Sequence, residues 1–276
     1  MKTHPNWQQI LNECYVNVQA AIIPCLSTLR EPQPKLGMGA GGDMMKPVDL
    51  AAETAIVDTI KRHGVSFTLV SEESGIKKVG SSPQACYVTV DPIDGTTNLV
   101  HGVPFYASSI AVSCEPELAS VYAAMVADLA HGVTYTAFEG KGAYRNGEKV
   151  VTSKTASLEE ALIGLDINSY NGNFKIQYVE ALIKQTKHIR HFGANALEIC
   201  YVAEGLTDAF VDLRHKIRTT DVAAGFLIAK EAGGVVTDPN NQPINVKLDP
   251  KQTLNFVASA NKKIHKQILS LVHLDV

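Results

Sequence analysis

The order of apolar and polar positions along the chain predicts long helices in the first quarter. Apolar residues recur at helical spacing over residues 7–29, which predicts an amphipathic helix that is kinked or ended near Pro24. The spacing returns from Asp49 to His63, where Gly64 is suited to end the helix. Residues 31–43 between them are rich in Gly and Pro. This stretch predicts a loop, a lid or hairpin that moves over a site, with Lys46 at its far end.

Short runs of apolar and β-branched residues predict strands after the second helix. In the first half they cover residues 66–70, 87–90, 105–113, 118–126 and 132–138. Asn146-Gly147 adds a hairpin signal. Strands joined by hairpins, rather than by alternating helices, favour a mixed or antiparallel sheet and an α+β fold.

The second half of the chain mixes strands and helices more evenly. Its predicted strands are residues 161–165, 188–192, 209–211, 235–237 and 256–259, and its predicted helices are residues 178–184, 194–203, 219–231 and 264–271. We therefore divide the chain into an N-terminal α+β subdomain, residues 1–150, and a C-terminal α/β subdomain, residues 151–276.

Composition narrows the classes of protein and of partner. The 276 residues are 45% hydrophobic and 19% charged, which allows a large core. The net charge of −3 gives no indication of a basic surface that would bind nucleic acid or an anionic membrane. Five cysteines without Cys-x-x-Cys spacing indicate reduced thiols. No apolar run reaches the roughly 18 residues of a membrane span, and the first nine residues show no signal-peptide pattern. We expect a cytoplasmic protein with a small-molecule partner.

Carboxylates gather where predicted elements end. Residues 91–98, Asp-Pro-Ile-Asp-Gly-Thr-Thr-Asn, follow a buried strand whose pairing we expect to stop at Pro92. A sharp turn there aims Asp91, Asp94 and the Ile93 carbonyl at one point, as a Mg²⁺ site requires. Taken singly, Asp-Pro and Asp-Gly are ordinary turn dipeptides.

Three further segments place acids at element ends. Asp49 and Asp221 lie in the first turns of predicted helices, where the helix dipole alone explains a carboxylate. Glu72 follows strand 66–70 and is either a solvated turn residue or a metal ligand. The basic stretch 212–218 is either a solvated loop or an anion pocket.

The octapeptide resembles the signature Asp-Pro-Ile-Asp-Gly-Thr-x-Asn of the inositol monophosphatase family, Mg²⁺-dependent and lithium-sensitive sugar and polyol phosphatases. Residues 71–74 and 220–225 are similar to that family's Gly-Glu-Glu-Ser and Trp-Asp-x-Ala-Ala-Gly motifs. The second half looks closest to archaeal-type members that act on inositol monophosphate and fructose 1,6-bisphosphate. The resemblance implies a layered αβαβα fold, with two mixed or antiparallel sheets between helices, and a homodimer.

The resemblance also implies a role for each site residue. Glu72, Asp91 and the Ile93 carbonyl would hold one Mg²⁺, and Asp91, Asp94 and Asp221 a second; the number of ions is two or three, and Mn²⁺ substitutes. The implied catalytic residues are Asp49 and Thr96, which position and activate the attacking water, together with Glu72. The implied substrate-binding residues are Gly95, Thr96, Ser169, Tyr170, Asp212, Arg214 and Arg218.

Within that substrate set, Gly95 and Thr96 open a helix whose free N–H groups face the phosphate. Asp212 would accept hydrogen bonds from substrate hydroxyls, and Ser169, Tyr170, Arg214 and Arg218 would form a distal pocket for a second phosphate. The chain departs from the family at Thr220, where Trp is common. It also has Gly39-Ala40-Gly41-Gly42 where archaeal-type members carry Gly-Ala-Asp-Gly, so that Asp43 is displaced.

The expected function is hydrolysis of inositol 1-phosphate, fructose 1,6-bisphosphate or both by metal-activated water. The alternative within the same class is a phosphatase for 3′-phosphoadenosine 5′-phosphate or NADP, for which the sequence shows no clear adenine slot. The alternative of another class is a non-catalytic regulator that keeps the fold. Retention of the carboxylates together with Thr96 argues against that alternative.

Overall fold

Two sheets alternate with three layers of helices in the computed structural model, which describes residues 5–29, 31, 34, 36–81, 86–170 and 174–272. In that part of the chain the helices are α1 (Trp7–Leu26), α2 (Pro47–Arg62), α3 (Thr96–His101), α4 (Glu180–Gln185), α5 (Asn195–Glu204), α6 (Thr219–Glu231) and α7 (Lys262–Leu269). The strands are β1 (Phe67–Ser71), β2 (Gly75–Val79), β3 (Cys86–Asp94), β4 (Ala107–Ser113), β5 (Val121–Asp128), β6 (Val133–Phe138), β7 (Gly142–Arg145), β8 (Glu148–Val150), β9 (Leu162–Asp166), β10 (His188–Arg190), β11 (Ala209–Arg218), β12 (Val235–Thr237) and β13 (Thr253–Ser259).

Both sheets are mixed, which confirms the α+β fold class. The larger has the strand order β2-β1-β3-β4-β5-β6-β7-β8, and its one parallel pair is β1 with β3. The smaller has the order β10-β9-β11-β13-β12, in which β10, β9 and β11 run parallel.

Three hydrophobic clusters define the layers. In the first, Ile10 of α1 and Ile56 of α2 are buried with strand residues of the larger sheet. In the second, α5 and α6 lie between the sheets, and in the third, Ile264 of α7 packs with residues of the smaller sheet and of the α4 region. The order is helix, sheet, helix, sheet, helix, so the expected αβαβα arrangement is confirmed.

Helix α6 is the central element of the middle layer. All its residues from Thr219 to Ala229 are buried, because it contacts strands of both sheets. A helix that is apolar all round is stable only when it is enclosed in this way. A Cβ atom at Gly225 would lie 3.0 Å from Cβ of Ile199, so the glycine permits the close approach of α5.

Several predicted boundaries were wrong. Strand β3 continues to Asp94, with a register shift between Asp91 and Asp94 where we expected pairing to end. Strand β11 continues to Arg218 with a similar shift after Asp212, where we expected a loop. Strand β2 was not predicted, because its exposed edge position allows Lys77 and Lys78 in place of alternating apolar residues.

The predicted hairpins are present. Asn146 and Gly147 both have positive φ, 48° and 84°, as a two-residue turn between β7 and β8 requires. In the Gly-rich stretch, Met38 pairs with Met44 in an isolated antiparallel bridge. Residues 32, 33 and 35 of the predicted loop lie outside the described residues. Within the described chain, no helix combines the length and the apolar character that crossing a membrane requires.

Candidate active site

Parallel pairing of β1 with β3 brings the first acids together. Ser71 pairs with Val90, so the residues that follow, Glu72 and Asp91, lie side by side at the carboxyl edge of the sheet. Asp221 reaches the same place from the first turn of α6. Carboxylate oxygens of Glu72, Asp91 and Asp221 all lie within 4.8 Å of one another. Three chain segments far apart in sequence therefore meet at one point.

Helix N-termini surround this cluster and orient its acids. Asp49 Oδ2 accepts a hydrogen bond from the Lys46 N–H at 3.1 Å at the start of α2. Asp221 Oδ2 accepts one from the Arg218 N–H at 3.1 Å at the start of α6. Asp94 Oδ2 accepts one from the Ala196 N–H at 2.6 Å, in the first turn of α5. The dipoles of these helices favour negative charge there.

The irregular end of β3 connects the acids to a hydroxyl group. Thr96 Oγ1 donates to the Ile93 carbonyl at 2.8 Å and lies 3.3 Å from Asp49 Oδ1. Gly95 turns the chain with φ of 83°, and a Cβ atom there would lie 2.9 Å from Cβ of Ala194. The turn therefore requires glycine, and it places Thr96 between β3 and α2.

A cavity of about 350 Å³ lies over the cluster. It is lined by Asp43, Met44, Lys46, Asp49, Glu72, Glu73, Asp91, Ile93, Asp94, Gly95, Thr96, Thr97, Gly193, Asn195, Arg218 and Asp221. A larger cavity of about 750 Å³ near Trp7 and Tyr122 has one acid, Glu139, among its described lining residues. The chemistry is concentrated in the smaller one.

Burial makes these carboxylates resist ionisation. Burial raises the pKa of Asp49 to about 6, and burial with the Asp221 charge raises the pKa of Glu72 to about 7. The pKa values of Asp91 and Asp94 are raised well above their usual range by burial and then by neighbouring carboxylates. Burial is the largest cause in each case, because it disfavours the charged form, and neighbouring carboxylates add repulsion at Glu72, Asp91 and Asp94.

The donor set fits a hard divalent cation. Among the described residues, the buried oxygens Asp91 Oδ1 and Glu73 Oε2 find no hydrogen-bond partner. Buried polar atoms without partners are rare and costly unless an ion or water satisfies them. Carboxylate oxygens that converge in this way are ligands that Mg²⁺ or Mn²⁺ takes in proteins. Ile93, whose carbonyl is a further oxygen, lines the same cavity.

Arg218 lies among these acids and lines the same cavity. Its Nη2 is 2.6 Å from Glu72 Oε1, and its Nε is 3.5 Å from Asp221 Oδ1. Because β11 extends to Arg218 and α6 begins directly after it, this side chain reaches the carboxylate cluster. Its role in a distal pocket for a second phosphate stays a prediction.

Of the predicted substrate set, Gly95 and Thr96 line the cavity over the carboxylates, whereas Ser169, Tyr170, Asp212 and Arg214 are not among its lining residues. Arg214 pairs with Asp166 at 2.6 Å and with Asp212 at 2.5 Å. Asp212 is fully buried, and both of its oxygens accept hydrogen bonds from Arg214. Ser169 and Tyr170 are exposed. Their roles toward a substrate stay predictions.

Two positioning acids were missed from the sequence. Glu53, one helical turn after Asp49, accepts hydrogen bonds from the Ser71 hydroxyl and from the Ser74 N–H, and so fixes the turn that carries Glu72. Glu53 follows Asp49 by four residues, and this spacing places both acids on one face of α2. Glu53 could have been predicted from that spacing. Glu198 likewise accepts from the N–H groups of Phe192 and Gly193, beside the cavity.

Glu73, the neighbour of Glu72, also lines the cavity, although the sequence motif did not single it out. Burial, followed by the charge of Asp49, raises the pKa of Glu73 to about 8. The sequence of a turn with two adjacent acids does not show whether both side chains face the cavity, because the conformation of the turn determines the direction of each side chain.

Two sheets between layers of helices, with carboxylate oxygens gathered beside a threonine hydroxyl, are a suitable frame for a metal-dependent phosphatase, in which cations activate water. Residues 8–275 match the model of the inositol monophosphatase family, and the chain belongs to that family. It is therefore a phosphoric monoester hydrolase whose substrates are small phosphorylated molecules.

Named relatives cover nearly the whole chain. A fructose-1,6-bisphosphatase/inositol-1-monophosphatase of Methanothermobacter thermautotrophicus is 34% identical over 97% of this chain and 97% of its own. A bifunctional NADP phosphatase/NAD kinase of Methanococcus maripaludis is also 34% identical, over 85% of this chain and 44% of its own. The solved structure of an inositol monophosphatase–fructose 1,6-bisphosphatase has a TM-score of 0.85 at 30% identity, covering 97% of this chain and 100% of that one.

Proposed function

We propose that this protein is a Mg²⁺-dependent phosphomonoesterase that hydrolyses inositol 1-phosphate, fructose 1,6-bisphosphate or both. The observation that carries the proposal is the convergence of carboxylate oxygens of Glu72, Asp91 and Asp221 within 4.8 Å of one another, with Asp91 Oδ1 buried and without a partner among the described residues. The names of the Methanothermobacter relative and of the solved inositol monophosphatase–fructose 1,6-bisphosphatase structure support the choice of substrates.

In this proposal the acids divide between two Mg²⁺ ions, which Mn²⁺ can replace. Glu72, Asp91 and the Ile93 carbonyl would hold one ion, and Asp91, Asp94 and Asp221 the other. When bound, such ions lower the pKa of a coordinated water and neutralise charge that develops on the phosphoryl group and the leaving oxygen.

The chain itself orients the attacking water. Thr96 Oγ1 lies 3.3 Å from Asp49 Oδ1. When the hydroxyl turns its one proton from the Ile93 carbonyl to Asp49, its oxygen can accept a hydrogen bond from the attacking water. The pKa of Asp49, raised to about 6 by burial, suits a group that shares a proton near neutral pH. Gly95 and Thr96, at the start of α3, line the cavity, and their N–H groups would bind phosphate oxygens.

Water attacks phosphorus directly in this scheme. Among the described residues that line the cavity there is no Ser, Cys or His. The acids assigned to the cations and to the attacking water are not free to attack phosphorus themselves. The leaving oxygen takes its proton from solvent or from a water held by the same acids. No covalent enzyme intermediate is needed.

For a bisphosphate, Ser169, Tyr170, Asp212 and Arg214 would contact the part of the substrate away from the metals. The support is their position at the ends of β9 and in β11, with the Lys216 ammonium donating to the Tyr170 carbonyl. Since Arg214 is held between Asp166 and Asp212, it would have to exchange one of these partners for a phosphate. This makes inositol 1-phosphate the less demanding substrate.

NADP hydrolysis is the second candidate, because the Methanococcus maripaludis relative carries that activity in its name. A phosphate-release assay on inositol 1-phosphate, fructose 1,6-bisphosphate, 3′-phosphoadenosine 5′-phosphate and NADP, with Mg²⁺ and with EDTA, separates the candidates. Turnover of none of them would favour the non-catalytic regulator.

The matched variants for this assay are Asp91→Asn and Asp58→Asn. Asp91 would bridge both ions, so its loss should lower turnover by about a thousandfold or more. Asp58 is a half-exposed acid on α2 that pairs only with Lys61, so D58N should behave as the wild type. Equal activity of D91N and D58N would refute the assignment.

We also propose that the protein is a cytoplasmic homodimer. Light scattering on the purified protein gives its mass in solution.

The two proposed subdomains divide the site. Residues 1–150 would supply most metal ligands, and residues 151–276 would supply Asp221 and the substrate pocket. The positions of Glu72, Asp91 and Asp94 before residue 150 and of Asp221 after it support this division.

A further inference from the structure

The cavity over the carboxylates has a strong imbalance of charge. Its lining includes seven acids, Asp43, Asp49, Glu72, Glu73, Asp91, Asp94 and Asp221. In the described part of the chain, the basic residues of that lining are Lys46 and Arg218. Arg218 is the one that forms ion pairs with metal-binding acids. The contacts of Arg218 therefore determine how much of the negative charge on these acids is neutralised before any cation binds.

One side of the Arg218 guanidinium faces the metal site. Nη2 lies 2.6 Å from Glu72 Oε1, a short charge-assisted contact, and Nε lies 3.5 Å from Asp221 Oδ1. The Arg218 side chain is only 17% exposed, so this positive charge is held in place by protein rather than by solvent. It occupies oxygens that a divalent cation would also need.

The other side of the same guanidinium faces the Gly-rich hairpin. Nη1 lies 2.9 Å from Asp43 Oδ2 and donates to the Gly41 carbonyl at 3.1 Å. The hairpin is fixed independently of Arg218, because Gly41 N–H donates to the Glu72 carbonyl at 2.7 Å and Ala40 N–H to the Glu73 carbonyl at 3.0 Å. Arg218 therefore has a second set of partners that does not depend on the metal-binding oxygens.

A guanidinium beside these carboxylates opposes the binding of a divalent cation. Arginine has only donors and keeps its charge at all physiological pH values, so it cannot become a ligand and it repels a neighbouring cation. Binding of a cation to Glu72 and Asp221 therefore weakens the contacts of Arg218 with these two acids. Asp43 and the Gly41 carbonyl can hold the guanidinium afterwards.

We propose that Arg218 is a built-in competitor for the divalent cation. Its guanidinium neutralises Glu72 and Asp221 when no cation is bound, and when the cation binds it withdraws from these acids and keeps its contacts with Asp43 and the Gly41 carbonyl. This inference rests on the proposed metal-dependent function. It makes Arg218 and Asp43 positioning residues that set the affinity of the site for cations, with opposite effects.

The test is calorimetric titration of the purified protein with MnCl₂ in the absence of substrate. Arg218→Gln removes the competitor, and we expect the dissociation constant for Mn²⁺ to fall about tenfold, because a charge-assisted contact no longer has to be broken. Asp43→Asn removes the second partner of Arg218, and we expect the dissociation constant to rise about two- to threefold, since Asp43 is 77% exposed.

The double variant separates this exchange from simple electrostatics. If Asp43 acts through Arg218, adding D43N to R218Q leaves the affinity at the R218Q value. If Asp43 acts only as a distant negative charge, D43N weakens binding equally in both backgrounds, which would overturn its assigned role. Arg218→Lys keeps the charge without the forked geometry, and we expect an affinity between wild type and R218Q.

Unchanged or weaker Mn²⁺ binding by R218Q would overturn the inference. Should R218Q not fold, as judged by its thermal unfolding, R218K decides: tighter binding than the wild type supports competition, and equal or weaker binding contradicts it. Wild-type protein that binds no Mn²⁺, like D91N, would instead contradict the proposed function itself. The two failures are therefore distinguishable.

Discussion

Asp91 shows how a single buried side chain can be destabilising for the metal-free protein and useful for chemistry. It is 2% exposed, its Oδ1 has no partner among the described residues, and its neighbours are further carboxylates. An uncompensated buried charge typically costs several kcal/mol, which a bound cation recovers. Such strain at a functional site is expected when the structure is stabilised elsewhere.

Thr96 provides a prediction at the same scale. Thr96→Ala removes the hydroxyl that lies between the Ile93 carbonyl and Asp49, so we expect turnover to fall about a hundredfold or more. Thr96→Ser keeps the hydroxyl and should retain most of the activity. Mn²⁺ affinity should change little in either variant, because Thr96 holds no metal in this account. A large loss of Mn²⁺ binding in T96A would contradict that role.

The sequence patterns predicted where the acids lie, but they did not predict which other side chains surround them. Asp91 and Asp94 are part of a turn signature, and Asp49 and Asp221 occupy first turns of helices, so their positions follow from local sequence. The direction of the Arg218 side chain does not follow from local sequence. It depends on the length of β11 and on the register shift after Asp212, which are set by pairing with β13.

At the scale of elements, α7 is connected to the smaller sheet through a buried histidine. His265 is 4% exposed, and its ring nitrogens lie 2.9 Å from Thr237 Oγ1 and 3.0 Å from Ser259 Oγ. Burial lowers the pKa of His265 to about 4. The imidazole is therefore neutral in the folded protein at pH values where it is charged in the unfolded chain.

This difference predicts acid sensitivity. Between pH 6.5 and about 4 the unfolded chain binds a proton at His265 that the folded protein does not, so the free energy of unfolding falls as the pH is lowered. The full effect is on the order of 2–3 kcal/mol. Urea unfolding at several pH values measures it. In His265→Gln this part of the pH dependence should disappear, and an unchanged slope would contradict the assignment.

Element predictions were most accurate where the apolar pattern was strong. Helices α1, α2 and α6 have clear helical spacing and were found close to their predicted positions. Strand β2 was missed because it is an edge strand with exposed lysines, and β3 and β11 were predicted too short because an irregular strand has no periodic pattern. These irregular parts carry the site, since shifts in register redirect side chains.

For the whole molecule, the site joins both halves of the chain. Asp91 comes from the larger sheet, and Asp221 comes from α6, which packs against both sheets. A ligand that binds only the folded state stabilises it, by about 2.7 kcal/mol at a concentration of 100 times the dissociation constant. Cation binding should therefore stabilise the two halves together.

We expect Mn²⁺ to raise the unfolding temperature of the wild type in a single transition. D91N should lose this response, and its metal-free form should be more stable than the metal-free wild type, because one buried charge that repels its neighbours is gone. Differential scanning calorimetry with and without MnCl₂ measures both effects. A D91N protein that Mn²⁺ stabilises as strongly as the wild type would count against the site.

The layer order and the family could be predicted from the sequence, because motifs near residues 72, 91 and 221 indicate which elements meet. The contact between Arg218 and Glu72 could not be predicted. It joins residues 146 positions apart, and it depends on the geometry of two sheets and a helix. Long-range side-chain contacts of this kind depend on tertiary packing, which local patterns do not determine.

The proposed chemistry depends on acids distant in sequence that bind divalent cations at one point. Anomalous diffraction from a crystal soaked in MnCl₂ tests this binding. We expect a manganese peak in contact with Glu72, Asp91 and Asp221, and Arg218 moved away from Glu72. Absence of any peak at these carboxylates, with the soaked Mn²⁺ bound elsewhere, would contradict it.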